Sequence, residues 1–183
     1  ASVDTGVAIK KTGPSEVMPN QPIRYMFLQI GNNSNVALDS FCWRDTLPAQ
    51  VTVNRLVTGT YNQAQNYKIV YKVNGAGAYR TLADNLSTTK SCVLDMRPAV
   101  IGLAANERVT EIMFVFGTVP AGFAQVETPV LYGTVCGGLS NGTNLVNSAD
   151  AGGLYNGQWV QAVSRWLTTV YAKMTMTLPK TGY

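Results

Sequence analysis

Three polar residues fall on strand faces that are otherwise apolar. Alternate residues of a strand share a face. Val7, Ile9 and Lys11 therefore point one way, as do Phe41, Trp43, Asp45 and Leu47 in a second segment and Leu145, Asn147 and Ala149 in a third. Each set has one polar member: a lysine, a carboxylic acid and a carboxamide. Burying an unpartnered amide costs about 2–7 kcal/mol, and a lone charge costs more. The three are therefore expected to meet. In a dry core the lysine is pushed towards its neutral, nucleophilic form and the acid towards its protonated form. A protonated Asp45 could polarise the Asn147 carbonyl, Lys11 could attack its carbon, and ammonia could leave. The product would be a Lys–Asn isopeptide bond, made once on the protein itself by proximity and a tuned acid. The alternative is a surface lysine, a turn aspartate and a β-edge asparagine, with Lys10 exchanging places with Lys11.

The elements that must position these residues read as short strands between turn clusters. Strands are expected over 6–11, 22–30, 38–45, 51–57, 67–73, 79–82, 108–116, 130–135 and 144–149. The clearest is 108–116, where Thr110, Ile112, Phe114 and Phe116 share a face of β-branched and aromatic types. The segment 159–176 fits both periods. Trp159, Val163, Trp166, Leu167, Val170 and Met174 would line a helix, whereas Val160, Ala162, Trp166, Val170, Ala172, Met174 and Met176 would line a strand. Thr168-Thr169-Val170-Tyr171 and the sheet context favour the strand. Many short strands without a long helix predict an all-β, antiparallel β-sandwich. No repeat or linker divides the chain, so one domain is expected over 1–176 with a tail at 177–183.

That tail holds a second motif. Leu178-Pro179-Lys180-Thr181-Gly182 resembles the Leu-Pro-x-Thr-Gly sorting signal that sortases read on Gram-positive surface proteins. Pro179 keeps the peptide extended by fixing its own φ and steering Leu178 away from the helical region. The resemblance implies cleavage between Thr181 and Gly182 and transfer of the Thr181 carbonyl to an amine of peptidoglycan or of a pilin. It further implies a secreted, wall-anchored protein of which this chain is a trimmed piece, lacking a leader and the apolar span and basic tail that usually follow the signal.

Further motifs support a family resemblance. Lys11-Thr12, Ile23-Arg24-Tyr25, Asp45-Thr46-Leu47-Pro48, Val109-Thr110-Glu111-Ile112, the segment from Phe116 to Phe123 and Asn147-Ser148-Ala149 occur in that order. The chain resembles the repeat domain of many bacterial surface proteins. It is also similar to the isopeptide-forming Ig-like domains of Gram-positive pilins and collagen-adhesin-type proteins. The resemblance implies an Ig-like sandwich used as a structural spacer, with Lys11 as amine, Asn147 as amide and Asp45 as catalytic acid. Some related domains use a glutamate, which makes Glu111 the alternative acid. The other functions it allows are a pilin subunit and a ligand-binding adhesin domain. Tyr71-Lys72-Val73-Asn74 matches a pilin lysine motif weakly, for want of the proline.

Composition narrows the remaining classes. Hydrophobic residues make up 46% of the 183 and charged residues 13%, which suits a packed core. The net charge of +4 comes from scattered lysines and arginines with no basic run, so no nucleic acid partner is expected. There is no histidine, and Cys42, Cys92 and Cys136 form no Cys-x-x-Cys pair. No metal site and no cofactor are therefore expected. One disulfide with a spare thiol, or three thiols, are both open. No hydrolase motif of defined spacing is present, so an enzyme acting on external substrates is not expected. The expected partners are a sortase, the amine acceptor and, through regions upstream of Ala1, an extracellular or host ligand.

Overall fold

The computed structural model describes residues 2–173. Its strands run β1 (Val7–Thr12), β2 (Glu16–Val17), β3 (Pro22–Asn32), β4 (Leu38–Thr46), β5 (Val51–Val57), β6 (Asn66–Val73), β7 (Ala76–Ser87) and β8 (Val93–Asp95). One helical turn, α1 (Pro98–Ile101), precedes β9 (Val109–Val119), β10 (Val130–Val135), β11 (Asn144–Tyr155) and β12 (Gln158–Val170). They form two sheets, one of five strands in the order β1-β3-β10-β5-β8 and one of seven in the order β2-β12-β11-β4-β9-β6-β7. Their apolar faces pack together as the expected β-sandwich. No helix among the described residues is long and apolar enough to cross a membrane.

The pairing is antiparallel except at one edge, where β2 runs parallel to β12. The cause lies just upstream. β1 pairs with β3, and then Gly13-Pro14-Ser15 carries the chain across to the other sheet. Pro14 has no N–H to continue the ladder, and its carbonyl accepts from Trp166 Nε1 and Thr168 Oγ1, both at 2.8 Å. A Cβ at Gly13 would lie 2.9 Å from the Tyr25 ring and 3.0 Å from the Trp166 ring, so the crossing requires glycine.

The described part of segment 159–176 resolves in favour of the strand over Gln158–Val170, and Met174 and Met176 lie outside the described residues. Val160, Ala162, Ser164, Trp166, Thr168 and Val170 point inward, while Trp159, Val163 and Leu167 are exposed. β11 runs past the expected Ala149 to Tyr155 because Gly152 and Gly153 belong to the ladder rather than to a loop. The ring of Trp159 lies over Gly152, where a Cβ would collide with it. The hairpin closes at Asn156-Gly157, both with positive φ, as a two-residue turn of this hand demands.

The core is aromatic. Trp43 stacks on Phe114 at 4.0 Å between ring centroids and tilts against Phe27 at 4.7 Å. Its indole N–H donates to the buried Tyr61 hydroxyl at 2.9 Å. Cys42, Cys92 and Cys136 are free thiols.

Candidate functional site

Lys11 arrives on β1, whose pairing with β3 carries a bulge between Ala8 and Lys10. Ile9 and Lys11 turn inward and Lys10 stays exposed. The outer edge of β1 is not idle, since the Lys11 N–H donates to Ser164 Oγ on β12 at 2.9 Å. Asp45 sits on β4 with Phe41, Trp43 and Leu47 on the same buried face. Asn147 sits on β11 between Leu145 and Ala149, also buried. Ala149 is the cross-strand partner of Asp45, which makes Asn147 its diagonal neighbour on that face. β4 and β11 belong to the seven-stranded sheet and β1 to the five-stranded one. The three side chains thus meet in the interior between the sheets, each at most 1% exposed.

One carboxylate holds both other groups. Lys11 Nζ donates to Asp45 Oδ1 at 2.7 Å, and Asn147 Nδ2 lies 3.3 Å from Asp45 Oδ2. The lysine nitrogen also rests against the ring of Tyr25 at 4.1 Å and of Phe27 at 4.3 Å. This is an apolar cage with a single acid, and burial dominates its electrostatics. Desolvation lowers the Lys11 pKa to about 8, against the opposing pull of Asp45. Desolvation likewise raises Asp45, against the pull of Lys11 and Asn147. Both shifts move the shared proton from nitrogen towards oxygen. Burial and the Asp45 charge push the Tyr25 hydroxyl up as well, so it stays protonated.

Two polar atoms here lack a well-formed partner: Asn147 Oδ1 and the Tyr25 hydroxyl, which lies beside Asn147 and Thr168. A buried orphan acceptor costs about 1–3 kcal/mol. A half-turn of the carboxamide, which hardly changes its shape, exchanges oxygen and nitrogen. Oδ1 would then face Asp45 Oδ2 and accept the proton of the neutral acid. The orphan thus favours the polarised amide that attack by lysine requires.

Glu111 is placed on the opposite face of the sheet. Its Oε2 accepts from the Tyr79 hydroxyl at 2.7 Å and lies 3.8 Å from Arg44, which also grips Asp150 at 3.0 Å. The reason is register: on β9 the inward residues are Ile112, Phe114 and Phe116. Asp45, not Glu111, is the acid within reach of Lys11. Lys72 lies on β6 between β7 and β9, its Nζ 4.5 Å from the Tyr79 ring centroid. The sorting motif, Leu178 to Gly182, lies outside the described residues.

Strand parity found the lysine, the acid and the amide. It missed Tyr25 and Phe27, although they follow Ile23 at alternate positions on the inward face of β3 and the same rule selects them. It also missed Ser164 and Thr168, whose roles depend on β1 crossing to β12.

No family model matches the chain, and no curated protein matches it in sequence. Among solved structures, the major pilin subunit BcpA* (D312A) of Bacillus cereus is similar at 12% identity and a TM-score of 0.45, over 93% of this chain and 40% of that one. ACE19, the collagen-binding subdomain of the Enterococcus faecalis surface protein ACE, is similar at 12% identity and a TM-score of 0.42, over 90% of this chain and 96% of that one. AvmM, which catalyses macrocyclization in alchivemycin A biosynthesis, is similar at 11% identity and a TM-score of 0.40, over 96% and 94%. At this degree of overlap, a functional conclusion has to come from the site.

Proposed function

We propose that this chain is a load-bearing structural domain of a sortase-anchored bacterial surface protein, tied internally by an isopeptide bond between Lys11 and Asn147. The observation that carries this reading is the Asp45 carboxylate, buried and in contact with both Lys11 Nζ and Asn147 Nδ2. The proton passes from the lysine ammonium to Asp45. The neutral amine adds to Asn147 Cγ while Asp45 hydrogen-bonds the developing oxyanion. Asp45 then relays a proton from the attacking nitrogen to Nδ2, the Cγ–Nδ2 bond breaks, and ammonia leaves. Amine plus carboxamide give a secondary amide plus ammonia, and Asp45 is regenerated. No oxidant, metal or external substrate is required, and the reaction runs once.

The bond would join β1 of one sheet to β11 of the other and enclose the 135 residues between Lys11 and Asn147. Tension applied at the ends would then run through the amide and leave those residues folded. The motif at Leu178–Gly182 supplies the reason for tension, since Thr181 would be fixed to the wall while the opposite end carries the load. Single-molecule pulling between the two ends tests this. A tied domain withholds the extension of the enclosed residues, roughly 480 Å. Full extension of the whole chain would refute it. Anchoring is tested separately: a form of the protein extended beyond Gly182 should be cleaved by sortase after Thr181, and lack of cleavage would remove that part of the proposal.

A further inference from the structure

A second candidate site is separate from the Lys11–Asp45–Asn147 cluster, and its lining includes none of those three residues. A cavity of about 330 Å³ opens between the start of β5, α1 and the start of β9. Its walls are apolar: Val53, Met96, Pro98, Leu103 and Val109 line it. Arg108 lines it too, half-buried, and no acidic group pairs with it among the described residues. Its Nη1 is pinned by two backbone carbonyls, Pro48 O at 3.1 Å and Val109 O at 3.2 Å. Nε and Nη2 have no partner among the described residues. Desolvation without a counter-charge holds the guanidinium pKa below its usual value.

The neighbouring acid does not neutralise it. Glu107 also lines the cavity, but one of its oxygens is held by Arg80 Nη2 at 2.5 Å and the other by the Ala104 N–H at 2.9 Å. The result is a fixed guanidinium edge with spare donors at an apolar hollow of small-ligand size. A planar fork held in place by backbone acceptors suits one chemical group above others, a carboxylate bound side-on. An ammonium ligand would meet like charge, and an uncharged apolar ligand would leave the donors unsatisfied.

We infer that this cavity binds an amphipathic carboxylate, with an aliphatic or aromatic body against Met96 and Leu103 and its carboxyl group on Arg108. That chemistry has two sources, a free small acid or the C-terminus of a peptide ending in an apolar residue.

NMR titration of the isotope-labelled full chain tests it, with hexanoate and 1-hexanol as paired probes. Hexanoate is expected to shift the Arg108 side-chain N–H and the Met96 methyl saturably, and hexanol to bind about tenfold more weakly or not at all. Arg108→Gln keeps a donor for Pro48 O and removes the charge, and it should cost about tenfold in hexanoate affinity. A leucine-terminated peptide, with its C-terminus free or amidated, distinguishes the sources. Tighter binding of the free form than of hexanoate identifies a peptide terminus, and the reverse order identifies a small acid. No saturable shift with either carboxylate would overturn the inference, as would equal binding of acid and alcohol. The comparison of acid with alcohol on the unaltered protein stands even if Arg108→Gln does not fold.

Discussion

Replacing Asn147 by leucine removes the carboxamide that the proposed bond consumes, while keeping a side chain of similar size and branching. The Lys11–Asp45 contact at 2.7 Å is left in place. The loss is then chiefly that of the cross-link. Closing a loop of 135 residues restricts the unfolded chain by about 5 kcal/mol on the chain-entropy model. For a domain of this size each kcal/mol moves the melting temperature by about 2–4 °C, so the variant should melt roughly 10–20 °C below the parent. Differential scanning calorimetry at neutral pH, under reversible conditions, reads this directly. The comparison is clean because a reacted parent would also have lost Asn147 Nδ2, as ammonia. A variant that melts within a few degrees of the parent would show that no covalent tie exists, and would refute the reasoning.

Three further outcomes follow from the geometry. With Asn147 present and no bond made, burial lowers the folded-state Lys11 pKa to about 8 against 10.5 for the free side chain, and the untied Asn147→Leu variant, which keeps both the burial and Asp45, should keep that direction. Between those values the unfolded chain binds more protons, so its stability should rise with pH. In a parent tied as proposed, Lys11 would be an amide and could not titrate, so denaturant titrations across that window should show the rise in the variant relative to the parent and not the reverse. Glu111→Gln should leave bond formation unchanged by mass spectrometry, because the Glu111 carboxyl faces Tyr79 on the outer side of the sheet; a loss of the bond would make Glu111 the acid. Tyr61→Phe should destabilise the fold by about 1–3 kcal/mol, since it orphans the buried Trp43 indole N–H, and an unchanged denaturation midpoint would contradict that pairing.

The site was legible in the sequence because burial imposes a period of two. Lys11, Asp45 and Asn147 each interrupt an apolar face, and such interruptions are tolerated where polar groups meet. The same rule failed where register slips or geometry depends on distant chain. Thr110 shares a parity with Ile112, Phe114 and Phe116, but β9 changes its facing between Val109 and Ile112 and leaves Val109 rather than Thr110 buried, and that slip is invisible in the letters. β2 and β8 are two and three residues long, too short to carry a period. The strand expected over 144–149 runs on through Gly152 and Gly153, which the letters do not show because the groups that crowd those glycines, Trp159 across the hairpin and Leu38 on β4, are distant in the chain. The Arg108 cavity gave no signal at all, because its walls come from β5, from 96–98 and from 103–109 and share no local pattern.

The most direct test is the intact mass of the purified protein, followed by mapping of its proteolytic fragments. The account predicts a mass lower than that of the sequence by one ammonia, with the peptides containing Lys11 and Asn147 recovered as one branched species and the deficit abolished by Asp45→Ala. An intact mass equal to that of the sequence, with the two peptides recovered separately, would contradict it.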